Sequence, residues 1–253
     1  MLAISLQSGS NGNCMYVETK GVRLLFDAGI TSVQAAGRLS AHGINIRDVN
    51  ALIISHDHAD HVRHAGVYQR RFGLPVHITP STMQNAAKRH GLGQMDDINY
   101  FRSGDVLKFG DVSVHTIPSP HDGVDGSVFV VCSGDKKLGI WTDLGHVFKE
   151  LFSQIASLDA VFLESNYDRE MLANGPYPWF LKQRIQGPSG HISNVEAAEL
   201  LLSGGRLKWA CLAHLSKHNN NPHIALQTHR RLIGDALPLY VASRHEATGV
   251  MTL

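Results

Sequence analysis

One short stretch constrains this chain more than any other: the apolar run NALII leads directly into SHDHADH, residues 55–61. The apolar run predicts a short buried strand, and the polar residues predict the loop at its end. Imidazole nitrogens and carboxylate oxygens are good ligands for zinc, manganese and iron, and the order H-x-H-x-D-H is rare by chance. His56 and His58 can face one ion from such a loop, while Asp60 and His61 can turn toward a second.

The remaining ligands must come from other segments, because four side chains cannot fill two coordination spheres. His121 follows the predicted strand VSVHTI, Asp143 follows KKLGIW, and His214 follows LKWACLA. Each one alone could equally be an ordinary polar loop residue. As a set at successive strand ends, they favour completion of the metal site.

Strands and helices alternate through both halves of the chain. Alternation and β-branched residues predict strands at MLAISLQ, CMYVET and VRLLFDAG, and helices at SVQAAGRLSAHG and NVEAAELLLSGG. PVHIT, INYF and VLKFG are predicted to be consecutive strands joined by turns. No low-complexity linker separates the halves, so we predict one domain over residues 1–253. The pattern fits two sheets packed face to face with helices outside.

Composition narrows the class of protein. With 253 residues, 43% of them hydrophobic, the chain can bury a core. Its net charge of +1 is too small to make the whole surface attractive to a polyanion. No leader-like or membrane-length apolar stretch occurs. Three scattered cysteines form neither a disulfide framework nor a CxxC pattern. We therefore expect a cytoplasmic protein without a membrane partner. Of the 16 histidines, ten, among them His90 and His229, are expected to be surface or packing residues.

The order of the motifs resembles that of the metallo-β-lactamase superfamily of dinuclear hydrolases, over essentially the whole chain. This resemblance implies an α/β fold, an αβ/βα sandwich of two mixed sheets flanked by helices, with the site at the edge between the sheets. It also implies two divalent ions (zinc, manganese or iron) that share an ionised water molecule as nucleophile. The implied ligands are His56, His58 and His121 on one ion, Asp60, His61 and His214 on the other, and Asp143 bridging both.

The same resemblance bears on roles and substrates. Asp27 in LLFDAG matches the acidic residue that braces the metal loop, and Asp60 is expected to help orient the attacking water. Members hydrolyse lactams, lactones, thioesters or phosphodiesters. Zinc β-lactamases of the common kinds carry Cys or His in place of Asp143, which disfavours that activity here.

A second motif, GPSGHISNVEAAELL at 187–201, narrows the substrate. His191 precedes a predicted helix whose cap is Ser193 or Asn194, and by itself it could be polar surface at the helix entry. Together with AHLSKHNN, the motif resembles the His-Ser-Thr loop of tRNase Z-like phosphodiesterases, in which a non-ligand histidine reaches toward the scissile phosphate. Histidine can hold and release a proton at neutral pH, so the resemblance implies His191 as general acid.

Further segments together resemble the YycJ (WalJ) subfamily of small bacterial nucleases: SGSNGNC, SHDHADH, ESNYD, YPWFLKQRIQG, GHISN and HLSKHNN. The implied activity is exonucleolytic cleavage of DNA, of the 5′–3′ type and connected with repair. Ile192 and His218 depart from that pattern, which puts only fine substrate preference in doubt. Two alternatives stay open. One is a glyoxalase II-like thioester hydrolase, and the other is a non-catalytic nucleic-acid-binding module whose metals only stabilise its fold.

Local charge favours a nucleic-acid partner, with DNA preferred over RNA. Between residues 167 and 231 the chain carries eight Lys or Arg against four Asp or Glu. Phosphate contacts and stacking faces are what a strand binder needs, so Lys182, Arg184 and Tyr167 are predicted to contact substrate. SGSNGNC is predicted to be a tight turn that could also lie near the metal edge. The sequence leaves the metal's identity and the oligomeric state open.

Overall fold

A computed structural model describes residues 1–253. The first sheet has the order β14-β1-β2-β3-β4-β5-β6, with β1 at Leu2–Gln7, β2 at Cys14–Thr19, β3 at Val22–Phe26, β4 at Ala51–Ile53, β5 at Val76–Ile78, β6 at Ile98–Tyr100 and β14 at Met251–Thr252. Its helices are α1 (Ser32–Ser40), α2 (Ala59–Val62), α3 (Ala65–Phe72) and α4 (Pro80–His90).

The second sheet has the order β13-β12-β11-β10-β9-β8-β7, with β7 at Val106–Phe109, β8 at Val112–Pro118, β9 at Ser127–Ser133, β10 at Lys136–Trp141, β11 at Ala160–Glu164, β12 at Trp209–Ala213 and β13 at Leu239–Val241. Its helices are α5 (Lys149–Ile155), α6 (Arg169–Asn174), α7 (Trp179–Gln186), α8 (Asn194–Leu201) and α9 (Pro222–Ile233). None of the helices has the length and apolar character that a bilayer crossing requires.

The two sheets pack face to face over a shared apolar core. Val17 and Phe26 of the first sheet meet Phe129 and Phe162 of the second, and the rings of Phe26 and Phe129 lie 5.1 Å apart. Helices α1, α3 and α4 cover the outer face of the first sheet, and α5, α8 and α9 cover that of the second. The predicted αβ/βα sandwich is confirmed.

Strand direction brings the polar motifs to one place. Strands β3 to β6 run parallel in the first sheet, and β10 to β13 run parallel in the second. Asp27 follows β3, Asp143 follows β10, Glu164 ends β11 and His214 follows β12, while the metal loop follows β4. The carboxyl ends of parallel strands are where open α/β sheets place ligands.

The prediction of consecutive strands from PVHIT to INYF is wrong, because helix α4 lies between β5 and β6. Thr79 caps the helix by accepting a hydrogen bond from the amide of Thr82, and Pro80 occupies its first turn. Gly91 ends it at φ 60°. Few residues of the helix are buried, so the sequence carries little apolar periodicity there.

Candidate metal centre

Seven side chains predicted as ligands converge at the edge between the two sheets. In each of three overlapping groups, the possible ligand atoms lie within 4.8 Å of one another. The groups are His56 with His58 and His121, Asp60 with His61 and His214, and His56 with His61 and Asp143. The members come from both sheets, so the site exists only in the folded chain.

Hydrogen bonds behind the cluster determine which histidine nitrogens face it. Nδ1 of His121 donates to the Gly190 carbonyl at 2.7 Å, and Nδ1 of His56 lies 2.9 Å from the Ser55 hydroxyl. Nδ1 of His61 lies 2.7 Å from a carboxylate oxygen of Asp27. In each case Nε2 is left for the cluster, which is the usual arrangement behind a metal-binding imidazole.

Asp27 ties the metal loop to strand β3. Besides contacting His61, its carboxylate accepts hydrogen bonds from the Ser55 amide at 2.8 Å and the Ser55 hydroxyl at 3.0 Å. Asp27, Asp143 and His214 are three of only five non-glycine residues with positive φ, at 65°, 60° and 54°. Such backbone is costly for side-chain-bearing residues and tends to cluster at functional sites.

Asp143 lies at the centre of the cluster. One carboxylate oxygen is 3.6 Å from Nε2 of His121 and 3.4 Å from Nδ1 of His214, and the other is 2.9 Å from Nε2 of His61. Burial alone would raise the pKa of Asp143, but His214 and His61 hold it well below its ordinary value. Burial alone would lower the pKa of His214, but Asp143 and Asp60 raise it to about 10.

Two buried polar atoms of the cluster have no hydrogen-bond partner: Nε2 of His56 and Oδ2 of Asp143. His61 lies close to Oδ2, but its ring is not oriented to donate to that oxygen. Buried polar atoms without partners are rare in native proteins because each one costs free energy. A cation would satisfy both, and the nitrogen and oxygen donors present suit zinc, manganese or iron. The residues therefore fit divalent metal ions.

His191 forms a fourth such group with Asp143, His214 and Glu164, a carboxylate that sequence reasoning missed. Its Nδ1 lies 2.6 Å from Oε1 of Glu164, which is fully buried and accepts a second hydrogen bond from the Leu144 amide at 2.9 Å. Burial alone would raise the pKa of Glu164, but His191 outweighs this effect and lowers it to about 2. The carboxylate thus stays charged, and Nε2 of His191 is left for a ligand. ESNYD contains Glu164, but nothing in that stretch indicates its role.

A cavity of about 330 Å³ opens onto the cluster, and cationic side chains line its rim. Arg184 pairs with Asp122 at 2.7 Å, and Arg89 reaches the buried Asp57 at 3.0 Å. Asp57 therefore points away from the metal cluster and holds the metal loop to α4. The cavity-lining residues are Ser10, His58, Ala59, Asp60, Arg89, His90, His121, Asp143, Arg184, His191 and His214.

The structure corrects three sequence-based expectations around the cavity. Tyr167 is only 4% exposed and packs against Leu172 and Ile185, so it offers no stacking face. Lys182 does not line the cavity, and its ammonium group donates to the Ala173 carbonyl at 2.7 Å. His90, expected to be an ordinary surface or packing histidine, lines the cavity. The sequence did not predict that His90 lies at the cavity, because it did not predict helix α4, which His90 ends.

The SGSNGNC turn lies against the metal edge. The hydroxyl of Ser8 accepts a hydrogen bond from the His214 amide at 2.9 Å, and Ser10 lines the cavity. The side-chain nitrogen Nδ2 of Asn13 donates to a carboxylate oxygen of Asp60 at 3.3 Å. The turn therefore positions ligands contributed by both sheets.

Comparison with known proteins agrees with this fold and donor set. The model of the metallo-beta-lactamase superfamily matches residues 8–178, so the chain belongs to that superfamily. Within it, the chain is 34% identical to exodeoxyribonuclease WalJ of Streptococcus pneumoniae, over 88% of this chain and 84% of that protein. It is 35% identical to exodeoxyribonuclease YycJ of Bacillus anthracis, over 87% and 84% of the two chains. The crystal structure of YhfI from Bacillus subtilis, a metallo-beta-lactamase fold protein, superposes with a TM-score of 0.74 at 13% identity, covering 98% of this chain and 100% of that one.

Proposed function

We propose that this chain is a metal-dependent phosphodiesterase that removes nucleotides from a DNA end, with 5′–3′ polarity and a role in repair. The single observation that carries the proposal is the cavity, which combines a metal-ligand cluster, a further histidine (His191) that is not among the predicted ligands, and two arginines. The names of the relatives at 34–35% identity support DNA as the substrate. The cationic rim favours a phosphodiester over a neutral thioester.

We propose that the site holds two ions, with His56, His58 and His121 on one and Asp60, His61 and His214 on the other. Asp143 would contact both ions, in keeping with its central position. When bound, the ions would supply an ionised water as nucleophile and neutralise charge on the phosphate oxygens. The ligands come from both sheets, and the first strand, β1, pairs with the last, β14, so we propose residues 1–253 as one domain.

The chain's own residues would orient substrate and move protons. Arg184 and Arg89 would hold phosphates at the rim, and Asp60 would orient the attacking water. Nδ1 of His191 would donate a hydrogen bond to Glu164, so the proton that passes to the leaving sugar oxygen would come from Nε2 of the protonated ring. The Glu164 carboxylate would keep the His191 ring in the orientation that this proton transfer needs.

The test is cleavage of end-labelled single- and double-stranded DNA and RNA by the full chain loaded with zinc, manganese or iron. We expect stepwise release of nucleotides from a DNA 5′ end and two metal ions per chain by elemental analysis. His58→Ala is expected to lose metal and cleavage together. A wild-type protein that binds DNA but cleaves no strand in any metal would overturn the proposed function.

A further inference from the structure

Two adjacent aromatic side chains at the start of helix α7 lie almost entirely in solvent. Trp179 is 75% exposed and Phe180 is 69% exposed, the two highest values among the large hydrophobic side chains. The helix is anchored elsewhere, because Leu181 and Ile185 pack against Tyr167 and Leu172. The two aromatic rings are therefore not needed to hold α7 on the domain.

Helix α7 carries the exposed rings and also reaches the metal cavity. Phe180 and Arg184 are four residues apart and so share one face of α7. Arg184 lines the cavity, and its guanidinium pairs with Asp122 at the rim. The rise of a helix over four residues is about 6 Å, so Phe180 lies one helical turn from a residue that lines the cavity.

The charge around the rings suits a polyanion. Between Glu170 and Glu196 the chain contains no acidic residue, while Lys182 and Arg184 lie on the same helix as the rings. A second copy of the chain using this patch across a two-fold axis would set these cations against their own counterparts. An aromatic pair beside cations matches the stacking platforms with which proteins bind unpaired nucleobases.

We propose that Trp179 and Phe180 stack on an unpaired nucleobase of the strand whose phosphate enters the metal cavity. This inference rests on the proposed function and extends it, since it assigns a base-binding subsite outside the metal centre. The subsite is insensitive to sequence, because every base offers a π-face. It favours substrates with an unpaired end over fully paired duplexes.

The first test compares substrates with and without bases, using the double variant Trp179→Ala/Phe180→Ala. We expect its KM for single-stranded DNA to rise about tenfold or more, with hydrolysis of bis-p-nitrophenyl phosphate unchanged. A strand with abasic sites near the cleaved end should bind equally to wild type and double variant. Tyr100→Ala is the matched control, because Tyr100 is also an exposed aromatic (58%) but lies on β6 of the other sheet.

The second test uses fluorescence, since Trp179 is the one exposed tryptophan; Trp141 and Trp209 are buried at 0% and 6%. A single strand with cleavage-resistant phosphorothioate linkages should quench the emission of the wild type but not that of Trp179→Phe, which keeps an aromatic ring and a near-normal KM. A wild type that cleaves DNA while the double variant keeps its KM would overturn this inference and leave the proposed function intact. If the wild type proves to be a dimer, and the double variant is a monomer with an unchanged KM, this inference is likewise overturned. A wild type that cleaves no nucleic acid would instead overturn the function.

Discussion

Oε1 of the buried Glu164 lies 2.6 Å from Nδ1 of His191, and this contact leaves Nε2 as the His191 nitrogen available to a ligand. The carboxylate is charged at neutral pH, because its pKa is about 2 in spite of the burial that would raise it. A carboxylate in this position fixes the tautomer and the orientation of the imidazole ring. Glu164 is thus a positioning residue for the general acid that we propose.

Removing the acid should matter most when the leaving group is poor. We expect His191→Ala and Glu164→Gln to keep their metal but to cleave DNA more slowly, by about 10²- to 10⁴-fold for the first and less for the second. Hydrolysis of bis-p-nitrophenyl phosphate should fall much less, because p-nitrophenolate leaves without a proton. Glu170→Gln, at an exposed residue of α6, is the control. Equal losses on both substrates would argue against an acid role.

Asp27 is expected to set metal affinity through His61. Asp27→Asn removes the charge that faces Nδ1 of His61 yet tolerates the positive φ of 65°, since Asn and Asp both adopt that region readily. We expect metal affinity, measured by competition with a chelator, to fall about 10- to 100-fold. Asp111→Asn, at a side chain 84% exposed, should leave the affinity unchanged. Wild-type metal affinity in the Asp27→Asn variant would show that Asp27 does not influence metal binding.

Arg184 is expected to contact a phosphate at the rim. Arg184→Gln should weaken binding of all DNA sequences alike and reduce the slope of log affinity against log salt by about one. Binding is measured by titration of a cleavage-resistant strand at several salt concentrations, with Arg231→Gln, at an exposed residue of α9, as the control. An unchanged salt slope would show that Arg184 serves only its ion pair with Asp122.

His229 predicts a loss of stability in acid that is independent of catalysis. This α9 side chain is fully buried, and burial lowers its pKa to about 4, although Nδ1 donates to the Ala225 carbonyl at 2.8 Å. Between pH 6.5 and 4 the unfolded chain binds a proton that the folded chain does not, so the free energy of unfolding falls as pH drops through this window.

The size of the effect follows from the pKa difference and is about 3 kcal/mol by pH 4. His229→Leu should therefore lose less stability than wild type between pH 7 and 4, measured by denaturant unfolding of the metal-free protein. His223→Gln, at an exposed residue of the same helix, should show the wild-type dependence. Parallel curves for His229→Leu and wild type would contradict the prediction.

The sequence by itself determined the sandwich and the donor set. SHDHADH sits directly after a buried strand, and the spacing of its residues fixes which side chains can face an ion from a loop. The other three ligands could be predicted because each closely follows an apolar strand: His121, Asp143 and His214. That pattern is local and can be recognised without knowledge of the fold. The alternation of strands and helices likewise predicted both sheets.

Only the tertiary structure decided what surrounds that donor set. Glu164 meets His191, and α4 brings Arg89 and His90 to the cavity, through contacts between segments far apart in sequence. Tyr167 and Trp179 are both aromatic residues near basic ones, yet the first is 4% exposed and the second 75%. Burial depends on which other segments pack against a residue, so the local sequence that predicts a strand end cannot distinguish a core ring from an exposed one.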